Sequence, residues 1–354
     1  YRWPSQGTQK ITKPRVKMAN ESPPSSSGLI MLRPKHFGWN SETASSNPFQ
    51  GTMPSPSEAR EIALEGLREF DRMAVALYDA GIPLTILEDR DEPACPDAVF
   101  LNNWFCTLPA STAEVPEAGD EQEPALGPAG GAGLVHFPME SPARRLEIRP
   151  NLAHELIESG FQVDFESDWS DWAEGGQYLE GTGSMVLDHQ HRIAYAALSS
   201  RTSISLFRSW CSAFGFEPLS FETADRDGHP LYHTNVVMSL GRRLAFWGSE
   251  AVETFARREI HRRLQDSGRL IIDLNLRQIS EFGANVLEAY SSDGTPHWIA
   301  SQRAIASWTS DQRRTIESCS SILAVDIPTI ERIGGGSTRC MLAENHLPPR
   351  LHTL

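Results

Sequence analysis

The sequence predicts an α/β protein built from repeated units that share a centre. Short β-type apolar runs alternate with longer stretches of helical periodicity along most of the chain. Four short runs end or begin at an unusual polar cluster: Phe100-Leu101-Asn102-Asn103, Leu179-Glu180-Gly181, His233-Thr234-Asn235 and Gly335-Gly336-Ser337-Thr338-Arg339-Cys340. Helix-like stretches separate the clusters, as in a chain of repeated units. At 354 residues the chain is long enough for one large domain or two ordinary ones.

Residues 1–27 are rich in Ser, Pro, Lys and Arg, with Glu21 as their one acid. They lack apolar periodicity and are expected to be a disordered leader. The chain opens on Tyr1, which points to a truncated product, and the leader is compatible with an organelle-targeting remnant. Residues 28–354 are expected to be one catalytic domain. Leu29–Pro34 reads as the first strand, and 37–50 as a loop dense in Asn, Ser and aromatics. Ser55–Ala80 carries Ala59, Ile62, Leu67, Phe70, Met73 and Leu77 at helical spacing and stops before Gly81. Pro83–Leu87 reads as a strand, and Pro96–Phe105 as a short strand with polar groups at its end. Ala110–Gly133 is Pro-, Gly- and Glu-rich, and a disordered surface insertion over about 109–134 is expected. A helix is expected over Asn151–Ser159, then a strand over Phe161–Phe165. Strands follow at Met185–Leu187, Ile193–Ala197 and Val236–Leu240, with a helix ending at Phe214. The alternation continues to a helix at Ser310–Ser318 and a β-type run at Ile327–Ile333.

Forty-six acids against 32 bases give a net charge of −14. That argues against a nucleic-acid or anionic-membrane partner. No apolar run approaches the length of a membrane helix, roughly 18 residues. The five cysteines are scattered, without a C-x-x-C pair. A reducing compartment, hence the cytoplasm, is the expectation. His189-Gln190-His191 has the look of half a metal site, but the polar turn around it favours a surface turn. No metal or organic cofactor is implied. The expected partner is a small molecule, and a homo-oligomer is compatible with the sequence.

Gly334-Gly335-Gly336 gives a loop that backbone and ligand can approach closely. Cys340 follows it and opens an apolar run. A thiol there suits a nucleophile, given a partner base. The alternative is a buried structural cysteine.

Several stretches, in this order, resemble the guanidino-group-modifying superfamily of arginine deiminases, agmatine deiminases, dimethylarginine hydrolases and amidinotransferases. They are Met31-Leu32-Arg33-Pro34 with Phe37-Gly38, Asn40-Ser41-Glu42-Thr43 and Asn47-Pro48-Phe49-Gln50, then Pro96–Phe105, Leu179–Ser184, His233-Thr234-Asn235 and Ile327–Glu344. Together they span roughly residues 29–348. Within the superfamily, the arginine-deiminase-related branch that includes citrulline hydrolases is the most similar. The resemblance implies a pentein-type propeller: five ββαβ-like units around a pseudo-five-fold axis, with the site at the centre. It also implies that Cys340 is the nucleophile, His233 the acid and base, and Glu180 the acidic partner. Glu174-Gly175-Gly176 is similar to the Glu180 motif but lacks the following strand, and reads as a surface turn.

One departure from the family pattern is informative. Where arginine deiminases place aspartates against a guanidinium, this chain has Asn103 and Asn235, with Asn102 beside them. An amide cannot compensate a buried cation, but it both donates to a carbonyl and accepts from an NH₂. A neutral ureido group offers both. The alternative role for these asparagines is turn capping. Arg201 and Arg145 match family arginines that clamp a carboxylate, with Arg144 competing for the second place. Asp97 and Phe100 complete the expected substrate contacts. The expected activity is hydrolysis of L-citrulline to ornithine, ammonia and carbon dioxide through an S-carbamoyl-Cys340 intermediate. The competitors are an arginine or agmatine deiminase, an amidinotransferase, or a pentein that binds without turnover.

Overall fold

The computed structural model describes residues 26–110 and 131–350. The leader up to residue 25 and residues 111–130 of the acidic insertion lie outside the described residues. Fifteen strands are described: β1 Gly28–Arg33, β2 Leu84–Glu88, β3 Phe105–Leu108, β4 Gly133–His136, β5 Phe165–Asp168, β6 Val186–Asp188, β7 Ile193–Ala197, β8 Glu217–Phe221, β9 Met238–Leu240, β10 Leu244–Trp247, β11 Leu270–Asp273, β12 Leu287–Tyr290, β13 Pro296–Ser301, β14 Ser321–Val325 and β15 Ala343–Asn345.

They form five three-stranded sheets, ordered β15-β1-β2, β3-β4-β5, β6-β7-β8, β9-β10-β11 and β12-β13-β14. Each sheet joins one antiparallel pair to one parallel pair. A parallel pair needs a crossover, and helices such as Pro56–Asp79, Ile204–Phe214 and Thr254–Asp266 supply it. This is the ββαβ unit, present five times. The first unit is closed by the far end of the chain, because β15 pairs with β1 in the register Ile30↔Ala343 and Gly28↔Asn345. Cys340, just before β15, is thereby carried beside residues at the other end of the sequence.

The polar clusters lie on short helical turns that precede the first strand of a sheet: Leu101–Asn103, Gly181–Ser184, Thr234–Val236 and Thr338–Met341. The strand expected at Pro96–Phe105 is therefore displaced, and β3 begins at Phe105. Adjacent residues of a strand point to opposite faces. The turn instead buries Asn102 and Asn103 together. The strand expected at Phe161–Phe165 likewise shifts on, since β5 begins at Phe165. Five strands (β4, β8, β12, β14 and β15) appear where no strand was expected, each of them short.

The β-type run Ile327–Ile333 is not a strand. Pro328–Gly334 is a helix. Proline suits its first turn. The Glu69 carboxylate accepts hydrogen bonds from the backbone N–H groups of Thr329 and Ile330, at 2.8 Å each. These are donors that a helix start leaves unpaired. Ile327, Ile330 and Ile333 are buried at helical spacing. The helix stops at Gly335, whose φ of +66° favours glycine. A Cβ there would also lie 2.5 Å from Asn47 Nδ2.

Glu69→Ala would leave those two N–H groups without their acceptor. Urea denaturation is expected to show a loss of about 2–3 kcal/mol in unfolding free energy. An unchanged transition midpoint would contradict this account of the helix.

Candidate active site

Six segments of the chain meet at one cavity. Asp97, Phe100, Asn103, Arg201, His233 and Cys340 line it. Thr43, Asn47, Tyr232 and the three glycines 334–336 complete the wall with Arg144. Glu180, Asn102 and Asn235 are buried, and each touches a lining residue.

Arg145 does not face the cavity; Arg144 does. The short helix Pro142–Arg145 turns successive side chains about 100° apart, so one of the two points inward. Buried Glu147 selects Arg144, with Nε and Nη2 at 2.9 Å from its carboxylate oxygens. Arg144 Nη1 also donates to Asn103 Oδ1 at 2.8 Å. Arg145 instead donates to the carbonyls of Met139 and Glu140, at 2.9 and 3.0 Å.

His233 Nε2 lies 2.8 Å from Glu180 Oε2. The other carboxylate oxygen accepts from the backbone N–H of Glu140 at 3.0 Å. Arg201 Nη1 is 3.6 Å and Arg144 Nη1 4.0 Å from Glu180. Burial by itself would raise the Glu180 carboxyl, but Arg201, the His233 hydrogen bond and Arg144 outweigh it and hold it below the usual range. Burial pushes His233 down, against the pull of Glu180. At neutral pH the pair is a carboxylate beside a neutral imidazole. A carboxylate only accepts, so Nε2 carries the proton and Nδ1 presents a lone pair. Nδ1 has no hydrogen-bond partner among the described residues. At Gly183 a Cβ would lie 2.3 Å from Asn103 Nδ2 and 2.8 Å from His233 Nδ1. Only glycine lets those two groups converge.

Cys340 sits on the turn Thr338–Met341 and is nearly buried. Asn285 Nδ2 is 3.3 Å from its sulfur and Asn235 Nδ2 3.7 Å. Burial pushes the thiol above its ordinary value, and the hydrogen bond from Asn285 opposes this most strongly. Sequence reasoning missed Asn285. It stands just before β12, in the place that Asn103 holds before β3, and that positional equivalence was the available signal.

Besides His233 Nδ1, two buried groups at the site lack a hydrogen-bond partner among the described residues: Asp97 Oδ1 and Arg201 Nε. The other Asp97 oxygen accepts from Asn40 Nδ2 at 2.8 Å. Arg201 Nη2 donates to Ser46 Oγ at 2.8 Å. One spare acceptor and one spare donor match the amino and carboxylate groups of an amino acid. The loop bearing Asn40, Thr43, Ser46 and Asn47 covers the cavity, with Asn47 Nδ2 donating to the carbonyls of Gly334 and Gly335 at 3.3 and 3.2 Å.

Among the described residues, Asp225, Asp227 and His229 form a group spaced for a metal ion, and none of them lines the cavity. His191, in the stretch expected to be a surface turn, is exposed and hydrogen-bonds Asp188 at 3.0 Å. No helix of the described residues is long and apolar enough to cross a membrane.

A family model for eukaryotic N,N-dimethylarginine dimethylhydrolase matches residues 33–347. The N-terminal domain of ArgZ, an arginine dihydrolase from the ornithine–ammonia cycle in cyanobacteria, is similar in structure, with a TM-score of 0.64 at 15% identity, covering 89% of this chain and 97% of that one. AgrE in complex with ornithine and NAD⁺ gives 0.64 at 16% identity, covering 92% of this chain and 40% of that one. A dimethylarginine dimethylaminohydrolase, solved as a pyridine adduct, gives 0.53 at 12% identity, covering 89% of this chain and 98% of that one. A search of curated proteins found no match. At these identities the likeness establishes the fold, the pentein arrangement of five ββαβ units.

The environment of Cys340 has a signature in solution. The thiol is raised above 9.0 and the neighbouring imidazole is neutral. Its thiolate fraction therefore grows as pH rises, and alkylation by iodoacetamide is expected to keep accelerating beyond pH 9.0. A plateau reached by neutral pH would instead mean a thiolate–imidazolium pair.

Proposed function

We propose a function from one premise: the chain belongs to the eukaryotic N,N-dimethylarginine dimethylhydrolase family, within the guanidino-group-modifying superfamily. On that premise it is a hydrolase of carbon–nitrogen bonds other than peptide bonds, with Cys340 as nucleophile. The finer reading is that it takes a neutral ureido compound, L-citrulline, to ornithine, ammonia and carbon dioxide. One observation carries the finer reading: the groups around the sulfur are amides, and Glu180 and Glu147 are already paired. Asn235 and Asn285 contact the sulfur, and Asn103 lines the wall. Glu180 is committed to His233 and lies near Arg201, while Glu147 is committed to Arg144. A guanidinium would bring a second positive charge, while the one unpartnered carboxylate oxygen, Asp97 Oδ1, is taken by the amino group in this reading.

In this reading Arg201 Nε receives the substrate carboxylate and Asp97 Oδ1 the amino group. The Cys340 thiol passes its proton to His233 Nδ1, and the sulfur attacks the ureido carbon. His233 returns the proton to the departing nitrogen, so ornithine leaves and S-carbamoyl-Cys340 remains. A water that gives its proton to Nδ1 then cleaves the thioester, and the carbamate decays to carbon dioxide and ammonia. Glu180 keeps the imidazole in the tautomer that both steps need.

A second reading has arginine as the first substrate. It is favoured by the likeness to ArgZ, which is described as an arginine dihydrolase. Ornithine and ammonia release from citrulline, arginine, agmatine and dimethylarginine separates the two. The finer reading predicts ornithine from citrulline. Turnover of arginine with none of citrulline would overturn it. Cys340→Ala is expected to abolish turnover while leaving thermal stability roughly unchanged; lost stability with retained activity would make Cys340 a core residue. Changing Asn103 and Asn235 together to aspartate is expected to cut citrulline turnover by at least about tenfold and to improve arginine binding. Unchanged discrimination would sink the amide argument.

A further inference from the structure

We propose that Asn285 is a further catalytic residue of this site, donating an N–H to the Cys340 sulfur and fixing the amide cradle around the nucleophile. The proposal rests on the reading of Cys340 as nucleophile.

Asn285 is completely buried. Its Oδ1 accepts from the backbone N–H of Arg339 at 3.1 Å. Its Nδ2 donates to the backbone carbonyl of Asn235 at 3.1 Å. A backbone N–H only donates and a carbonyl only accepts, so the amide cannot be reversed. That orientation leaves Nδ2 at 3.3 Å from Sγ, with the sulfur as acceptor. The same nitrogen lies 3.3 Å from Asn235 Oδ1. Asn235 is thereby turned so that its own Nδ2 faces the sulfur at 3.7 Å. Two N–H donors thus converge on one sulfur. The Asn285 carbonyl also accepts from Thr338 Oγ1 at 2.9 Å, which ties it to the turn carrying Cys340.

The attack requires a thiolate in a dry site. The imidazole of His233 is neutral until it takes the thiol's proton, whereas the amide donors face the sulfur from the start. Hydrogen bonds from neutral donors to an ionised acceptor are among the stronger ones, more so where water is excluded. The fixed amide of Asn285 meets that need, and it does so without adding charge to the pocket.

The test follows the pH dependence of iodoacetamide alkylation, read for each cysteine by peptide mass spectrometry. It uses the full chain, Asn285→Ala and Asn285→Asp. Half-exposed Cys319 serves as reference in the same sample. In both variants the Cys340 profile is expected to move upward by about one pH unit, with alkylation at neutral pH slowed by about tenfold. Asn285→Asp keeps the side-chain volume and the acceptor for Arg339, but sets an oxygen against the sulfur. It should therefore be the more severe variant; it also loses the hydrogen bond to the Asn235 carbonyl, so alkylation is read below its own melting transition. An unmoved Cys340 profile in folded Asn285→Asp would overturn the proposal, as would a matching slowdown of Cys319. A wild-type Cys340 that stays unreactive at every pH while Cys319 reacts would overturn the nucleophile reading itself.

Discussion

The buried carboxylate of Glu180 sets the state of the groups around it. Taking an ion of this kind out of water costs several kcal/mol unless it is well paired. Here Arg201 and Arg144 stand 3.6 and 4.0 Å away, and hydrogen bonds from His233 and the Glu140 backbone complete its shell. Three consequences follow. The charge holds the proton of His233 on Nε2. It leaves Nδ1 with a lone pair and no partner among the described residues. It also balances a cation that the substrate carboxylate needs. Arg144 is balanced in the same way by Glu147. What remains is Asp97 Oδ1 for an amino group and Arg201 Nε for a carboxylate.

The fold supplies that arrangement by repetition. Each unit begins with a turn before its first strand, and a turn can bury adjacent polar side chains where a strand would splay them. Asn103, Asn235 and Asn285 occupy such places in three units, and Cys340 occupies one in the unit closed by β15. Because β15 pairs with β1, Cys340 near one end of the chain meets the covering loop near the other. The Glu69 carboxylate steadies the helix leading into the glycine turn, and Asn47 fastens the loop to that turn.

Much of this was legible in the sequence, and the reasons for the gaps are physical. The unit pattern was legible because unusual polar residues cluster beside apolar runs, whereas the grouping of Cys340, His233, Asn103 and Glu180 was what the family resemblance implied. Asn285 was not, since Phe282-Gly283-Ala284-Asn285 carries one polar side chain in a bland turn. The helix Pro328–Gly334 was read as a strand because branched isoleucines dominate it. The carboxylate that caps it is 260 residues away in sequence. Neighbouring Arg144 and Arg145 could not be told apart, because the choice is made by Glu147 and by which side of a short helix is buried.

The central claim is that Cys340 sulfur attacks a ureido carbon while Glu180 holds His233 as its base. Rapid acid quenching during citrulline turnover, followed by mass spectrometry of the Cys340 peptide, tests it most directly. The account predicts a carbamoyl increment on Cys340 that forms and decays within a turnover. A Cys340 peptide that stays unmodified while ornithine is released, or an adduct on another residue, would contradict it.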